Sequence, residues 1–288
     1  MIKIPLFKTV ILVLIILGLI PTILSFDKKN KNVGIQLFTL REDLPKDVQG
    51  VIEHIAKAGY TEVETYGFSA KNGFYGKTAK EFKNLLSKNG LKATSGHYDL
   101  GTFLKDGNAD ALKSSIEAAK TLGSEYVTIP WIDESYRKTA EDYKKIAQRM
   151  NDAGELCKKA GLRLAYHNHD FEFKPIGNTT GYEILLKKTN PKLVDFELDL
   201  YWVVRSGNNP IKLFEEHPGR FKMWHVKDMS KTNENQNAEI GKGSIDFKAI
   251  FAKAKIAGMK HYFVEQETNY IPNPLESIKT SYNYVDKL

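Results

Sequence analysis

The sequence predicts an α/β fold, a closed (β/α)8 barrel, and three observations carry that prediction. From Asn32 onward eight short β-rich runs alternate with amphipathic helical segments. Gly59, Gly90, Gly123, Gly161 and Gly258 each close a helical segment just before the next run. No glycine fingerprint of the dinucleotide-binding kind follows the first run. Regular βα alternation requires parallel strands joined by crossover helices, and about eight units at this length favour a closed barrel over an open doubly wound sheet.

The strands are expected in "VGIQLF" (33–38), "TEVETY" (61–66), "LKATSGH" (91–97), "EYVTIPW" (125–131), "LRLAYHNH" (162–169), "VDFELDL" (194–200), "FKMWHVKD" (221–228) and "HYFVEQE" (261–267). Between them, "LPKDVQGVIEHIAKAG" (44–59) and "TAEDYKKIAQRMNDAGELCKKAG" (139–161) place apolar residues at three- and four-residue spacing and end on glycine, as helices do. The barrel is assigned to residues 33–288. Residues 26–32, polar and lysine-rich, read as a linker.

Residues 1–25 carry Lys3 and Lys8, a nearly unbroken apolar run from Val10 to Ile20, and then Pro21. This is the pattern of a signal peptide, with a retained membrane anchor as the rival reading. Either reading puts the body outside the cytoplasm, in the periplasm or facing it from the membrane. The chain has 42% apolar and 27% charged residues and a formal charge of +7. Its Lys and Arg are interleaved with acids, a solvated surface more than a nucleic-acid stripe. Cys157 is the only cysteine, so no intramolecular disulfide can form and burial is its expected state.

A barrel of this kind holds its chemistry at the carboxyl ends of its strands. The expected strand ends carry Gln36, Glu62 and Glu64, His97, Trp131, His167 and His169, Glu197 and Asp199, His225 and Lys227, and Glu265 and Glu267. Residues two apart on a strand share a face, so these pairs are inward neighbours. Buried without partners, such charges cost several kcal/mol each, by rough estimate, unless they bind one another or a cation. Imidazole and carboxylate ligands without thiolate suit one divalent metal ion: Mn, Co, Zn or Mg. Taken singly, His225 reads as a core histidine and Glu265 as a rim residue; convergence from separate strands favours the metal. His54, His217 and His261 fall away from the strand ends and are assigned to structure or surface.

The segments "GYTEVETYG", "YHNHDFEF", "ELDLYWV", "MWHVKD", "EIGKGSIDF" and "FVEQE" together resemble the xylose isomerase-like TIM barrel family, which includes sugar phosphate isomerases/epimerases and inosose dehydratases. The family's ketose epimerases hold one divalent ion with Glu, Asp, His and Glu from strands five to eight. The resemblance therefore implies Asp199, His225 and Glu265 as ligands, with His167 in place of the strand-five Glu. That replacement departs from the epimerases, which use two opposed glutamates as acid and base. The inosose dehydratases resemble this chain in having histidines there, which implies elimination or a one-base isomerisation. Spacing leaves open whether His167 or His169 binds the metal; alignment with the family's Glu favours His167.

The chemistry implied is that of a divalent-metal-dependent sugar isomerase or epimerase: a proton is removed next to the metal-polarised carbonyl of a keto sugar. Return of the proton to the neighbouring carbon isomerises; departure of a β-oxygen dehydrates or cleaves a glycoside, the lyase alternative. His169 or His167 is the expected base, with Glu265 as the opposite acid/base group. Lys227 is expected to hold a substrate oxygen or to form a salt bridge to Asp228 or Glu197. Glu64, His97, Trp131 and Glu172 are expected to line the pocket. Lys242 lies in the Gly241-Lys242-Gly243 segment, which resembles a loop closing over substrate or else is a turn before a cap at Ser244.

Two rivals come from other classes. Apurinic endonucleases of the same superfamily have a histidine three residues after the strand-six Asp, where this chain has Trp202, and the Asp-x-His pair of their next loop is replaced by "EIGKGS". A non-catalytic sugar-binding barrel needs a broken metal constellation, yet Asp199, His225 and Glu265 are all present. The substrate is a small sugar, no nucleic acid is expected, and oligomeric state is not legible.

Overall fold

A computed structural model of the 288-residue chain describes residues 1–2 and 32–288. The expected leader and linker lie almost wholly outside the described residues. The eight expected strands all form, each shorter than its apolar run: β1 Gly34–Gln36, β2 Glu62–Thr65, β3 Lys92–Gly96, β4 Tyr126–Ile129, β5 Arg163–His167, β6 Val194–Asp199, β7 Phe221–Val226 and β8 His261–Val264. Every pairing between them is parallel, and β8 returns to β1. The remaining seam, β3 to β4, is closed by Glu125 N–H donating to the Thr94 carbonyl at 2.9 Å and Tyr98 N–H donating to the Thr128 carbonyl at 2.9 Å. The sheet therefore has no free edge.

One principal helix follows each strand: α1 Val48–Ala58, α2 Ala79–Lys88, α3 Asp110–Leu122, α4 Ala140–Lys159, α5 Gly181–Lys188, α6 Pro210–Glu216, α7 Phe247–Phe251 and α8 Pro274–Val285. Thr139 caps α4 in the way its sequence suggests, accepting from Asp142 N–H at 3.1 Å while the Asp142 carboxylate accepts from Thr139 N–H at 3.0 Å. Gly59 ends α1 at φ 109°, a backbone region that a side chain would strain. Cys157 is buried inside α4, and burial pushes its thiol up to about 12. Among the described residues no helix is long and apolar enough to cross a membrane.

The barrel interior is stratified. A small apolar layer of Tyr126, Ala165, Met223 and Phe263 lies at its middle. Gly34 belongs at this level because any Cβ there would stand 2.5 Å from the Phe263 ring. Beneath it, at the amino ends of the strands, Arg163 pairs with Asp195 and His261 Nδ1 lies 2.8 Å from Glu62 Oε2. This corrects one expectation, since Glu62 is not at the catalytic end. β2 begins at Glu62, and a two-residue step that preserves the face moves along the strand by about 6.6 Å, so Glu62 and Glu64 share a face but lie in different layers.

Burial opposes the charge on His261, but its hydrogen bond to Glu62 and the charges of Glu62 and Glu125 outweigh it and raise its pKa above the ordinary histidine value. The pair's stabilisation is therefore fully present below the unfolded histidine pKa of about 6.5 and is lost as pH rises through the folded value. Thermal unfolding of wild type and Glu62→Gln checks this. The melting temperatures differ more at pH 6 than at pH 9; an equal gap at both refutes the assignment.

Candidate metal centre

Above the apolar layer the inward positions become polar on every strand. Gln36, Glu64, Ser95, Thr128, His167, Glu197, Asp199 and His225 are all buried. Their placement follows from strand periodicity: His167 ends β5, Glu197 and Asp199 end β6, and His225 lies one residue from the end of β7. Register sets Asp199 beside His225 across β6 and β7. Glu265 follows β8 directly.

Two groups bring ligand atoms within 4.8 Å of one another: Asp199, His225 and Glu265, and deeper, His97, His167, Glu197 and His225. Hydrogen-bond accounting distinguishes them. Three imidazoles converge on one oxygen, Glu197 Oε2: His97 Nε2 at 2.8 Å, His167 Nδ1 at 3.1 Å and His225 Nε2 at 3.2 Å. A carboxylate only accepts, so His167 carries its proton on Nδ1 and turns the Nε2 lone pair toward Asp199 Oδ2, 3.9 Å away. His225 Nε2 also lies 2.7 Å from Glu64, while its Nδ1 faces Glu265 Oε2 at 2.9 Å. One proton satisfies one edge of that ring, and the other edge requires a second proton or a cation. Asp199 Oδ2 is buried with no hydrogen-bond partner. His167 Nε2, Asp199 Oδ2, His225 Nδ1 and Glu265 Oε2 therefore fit a divalent cation, and Glu197, Glu64 and His97 form the hydrogen-bonded support that orients the ligands.

Electrostatics point the same way. Asp199, Glu265 and Glu267 surround a single ammonium, Lys227, which is 1% exposed, while Glu64 and Glu197 face the imidazoles of His97 and His225. Lys227 Nζ bonds to Glu267 and lies 3.4 Å from Glu265 and 3.9 Å from Asp199. Burial opposes its charge, but Glu265, Glu267 and Asp199 outweigh that and keep it protonated. Burial likewise opposes charge on His225, and Glu197 and Glu265 prevail, raising it well above the ordinary value. Glu265 is held ionised against burial by Lys227 and His225. Burial lifts Asp199 to about 7 despite Lys227 and His225. In His167 burial dominates, followed by the charge of His225, so the ring stays neutral and suited to ligation.

A cavity of about 300 Å³ opens above these groups, lined by His97, Trp131, His167, His169 and Glu265 together with Phe38, Tyr66, Phe68, Pro130, Asp99 and Glu267. His169 Nδ1 has no hydrogen-bond partner, and its ring is enclosed by Trp131 at 4.8 Å, Trp202 at 5.5 Å and Phe171 at 5.8 Å. Burial, then the charge of Lys227, pushes its pKa down to about 3, leaving a neutral imidazole at the cavity wall. Other sequence candidates lie elsewhere. Glu64 is wholly buried beneath the cavity. Glu172 is wholly buried behind β5, accepting from the Tyr166 hydroxyl and from His169 N–H at 2.9 Å. Lys227 bonds to Glu267 and Glu265, not to Asp228 or Glu197, and does not line the cavity. Lys242 is exposed in a loop anchored on Asp228, whose Oδ2 accepts from Gly241 and Gly243 N–H, both at 2.9 Å. The following helix is capped by Asp246, not Ser244.

Asn168 is absent from the strand-end reading of the sequence, and Glu197, present in it, has no role assigned there. Asn168 Oδ1 accepts from Asp199 N–H at 3.0 Å and fixes the ligand's backbone. Period-two alternation places Glu197 inward, but its depth relative to the histidines depends on how neighbouring strands are staggered.

The fold and site define a (β/α)8 barrel with a candidate nitrogen-and-oxygen cation site at its carboxyl mouth. The sequence pattern of the xylose isomerase-like TIM barrel family matches residues 52–288, and the chain belongs to that family. It is 24% identical to an inosose dehydratase of Geobacillus thermodenitrificans over 267 residues, 81% of this chain and 87% of that one. Its fold superposes on a sugar phosphate isomerase/epimerase from Parabacteroides distasonis with a TM-score of 0.80 and 29% identity, covering 91% of this chain and 96% of that one. The IolI protein with a bound zinc atom has the same fold at TM-score 0.70 and 16% identity, covering 89% of this chain and 97% of that one.

Removing the shared support should weaken metal binding without removing a ligand. Glu197→Ala is expected to lower divalent-ion affinity by about 10- to 100-fold, measured by competition with a chromophoric chelator. Unchanged affinity means that Glu197 does not orient the histidines.

Proposed function

We propose that the chain is a divalent-metal-dependent sugar enzyme that removes the proton next to the carbonyl of a keto sugar. The observation that supports this most directly is His169: a half-buried, neutral imidazole with an unpartnered Nδ1, lining the same cavity as His167 and Glu265. A cation held by His167, Asp199, His225 and Glu265 would supply Lewis acidity toward a substrate oxygen, acidifying the neighbouring C–H. His169, neutral and on the cavity wall, is the side chain that would take the proton. Glu265, held ionised by Lys227 and His225, suits ligation better than the acid role expected of it. Lys227 acts at one remove by fixing Glu265 and Glu267.

This asymmetry bears on the outcome. Inversion at a sugar carbon needs acid/base groups on both faces, and His167, where an epimerase has Glu, is committed through Nδ1 to Glu197. One-face chemistry remains: return of the proton to the adjacent carbon, an isomerisation, or loss of a β-oxygen, an elimination. Likeness to an inosose dehydratase over most of the chain supports elimination; likeness to a sugar phosphate isomerase/epimerase supports isomerisation. Export of the barrel remains part of the proposal on the strength of residues 1–25 alone.

Incubation of the metal-loaded enzyme with keto sugars in heavy water, followed by NMR, tests the reading. Deuterium enters next to the carbonyl if His169 is the base, with retained skeleton for isomerisation and loss of water or an aglycone for elimination. His169→Gln is expected to lose about 10²- to 10⁴-fold in rate while binding metal normally. No exchange with any keto sugar contradicts the proposal.

A further inference from the structure

The cavity is lined by two chemically different sets of residues, and only one of them belongs to the candidate metal centre. Besides the histidines and carboxylates its wall is made by Phe38, Tyr66, Phe68, Pro130 and Trp131, the last meeting the His169 ring edge-on at 4.8 Å. Phe38 immediately follows the residue after β1, Tyr66 and Phe68 follow β2, and Trp131 lies two residues beyond β4, so three separate loops converge on one apolar surface. Trp131 is 48% exposed, the most exposed aromatic side chain among the described residues that carry a large apolar group outside the core. An aromatic ring left in water at the rim of a cavity retains a flat face for a ligand, and aromatic side chains typically serve sugar or aryl groups in this way.

The charge of the lining narrows the ligand. Asp99, Glu265 and Glu267 are its charged residues apart from histidine, and it contains no Lys or Arg. The two nearby guanidinium groups are already engaged. Arg41 lies over the Phe38 ring at 4.7 Å and donates to the carbonyls of Phe38 and Glu267. Arg137 lies over Phe171 at 3.4 Å and over Trp131 at 5.5 Å and donates to the Ile132 carbonyl at 2.8 Å. His97 is held by Glu64 and Glu197, so a phosphate would meet the lining carboxylates with no lysine or arginine among the lining residues to offset them, an arrangement that disfavours an anion.

We infer that the Phe38, Tyr66, Phe68 and Trp131 wall is a subsite for an uncharged, flat apolar group attached to the sugar, so that the preferred substrate is a non-phosphorylated glycoside and not a sugar phosphate. The inference rests on the sugar-enzyme reading of the metal centre and adds the substrate class. The sugar's hydroxyl and carbonyl oxygens face the cation end, and the aglycone or the C–H face of a second ring covers Trp131 and its neighbours.

Calorimetric titration of the metal-loaded protein with phenyl β-D-glucoside, methyl β-D-glucoside, glucose 6-phosphate and a free keto sugar tests it. The phenyl glucoside is expected to bind about five- to tenfold more tightly than the methyl glucoside, the gain of one aromatic contact, and the phosphate more weakly than both. In Trp131→Ala the phenyl advantage falls to about twofold or less, and Phe68→Ala reduces it from the other side of the wall. Equal affinities for the two glucosides, an advantage unchanged in both variants, or tighter binding of the phosphate overturns the subsite while leaving the metal-centre reading intact. If neither glucoside binds but the 6-phosphate or a free keto sugar does, the subsite is likewise refuted. Failure of every sugar, with metal bound, overturns the sugar-enzyme reading and the subsite with it.

Discussion

Four buried carboxylates, Glu64, Glu197, Asp199 and Glu265, gather at the mouth of the barrel with Lys227 and the imidazoles of His97, His167 and His225, and this density of buried charge is the constraint on which the site depends. Isolated charges in a protein interior are costly, and a group without a partner changes its protonation state or recruits a counter-ion. Both responses are visible. Asp199 is lifted toward neutrality, His225 is driven toward the imidazolium form, and His167 remains neutral with a lone pair facing Asp199. A divalent cation held by His167, Asp199, His225 and Glu265 would relieve all of these at once, with the one proton of His225 on the Glu64 and Glu197 side and its other nitrogen free to ligate.

The rest of the barrel supports that layer. Polar groups at the amino end are closed off in local pairs, Arg163 with Asp195 and His261 with Glu62. The apolar layer of Tyr126, Ala165, Met223 and Phe263 separates them from the metal centre, so the two charged layers do not share partners. The ligands are anchored from behind as well: Asn168 holds the Asp199 backbone, Glu197 holds His97, His167 and His225, and Lys227 holds Glu265 and Glu267. Such second contacts fix a ligand's tautomer and direction before any ion arrives, which is how a rigid scaffold prepares a reactive site.

Much of this was legible because the governing rules are local. Strand periodicity puts His167, Asp199, His225 and Glu265 on inward faces, and the barrel rule puts them at one end; the structure brings ligand atoms of Asp199, His225 and Glu265 within 4.8 Å of one another and sets His167 Nε2 3.9 Å from Asp199. The stagger between strands is not local, and there the reading was incomplete. It joined Glu62 to the catalytic end although β2 begins there, and it listed Glu197 without seeing that three imidazoles would meet on it. Lys242 and Glu172 were chosen from nearby motifs, but whether a loop residue faces a cavity is decided by tertiary contacts, here the Asp228 anchor and the Tyr166 hydrogen bond.

The central claim is that one divalent ion binds His167, Asp199, His225 and Glu265. Anomalous diffraction from crystals grown with manganese or zinc, collected at the metal edge, tests it most directly. A single strong peak bonded to those four side chains is the predicted result. A peak instead among His97, Glu197 and Glu64, or none at saturating metal, would contradict the account.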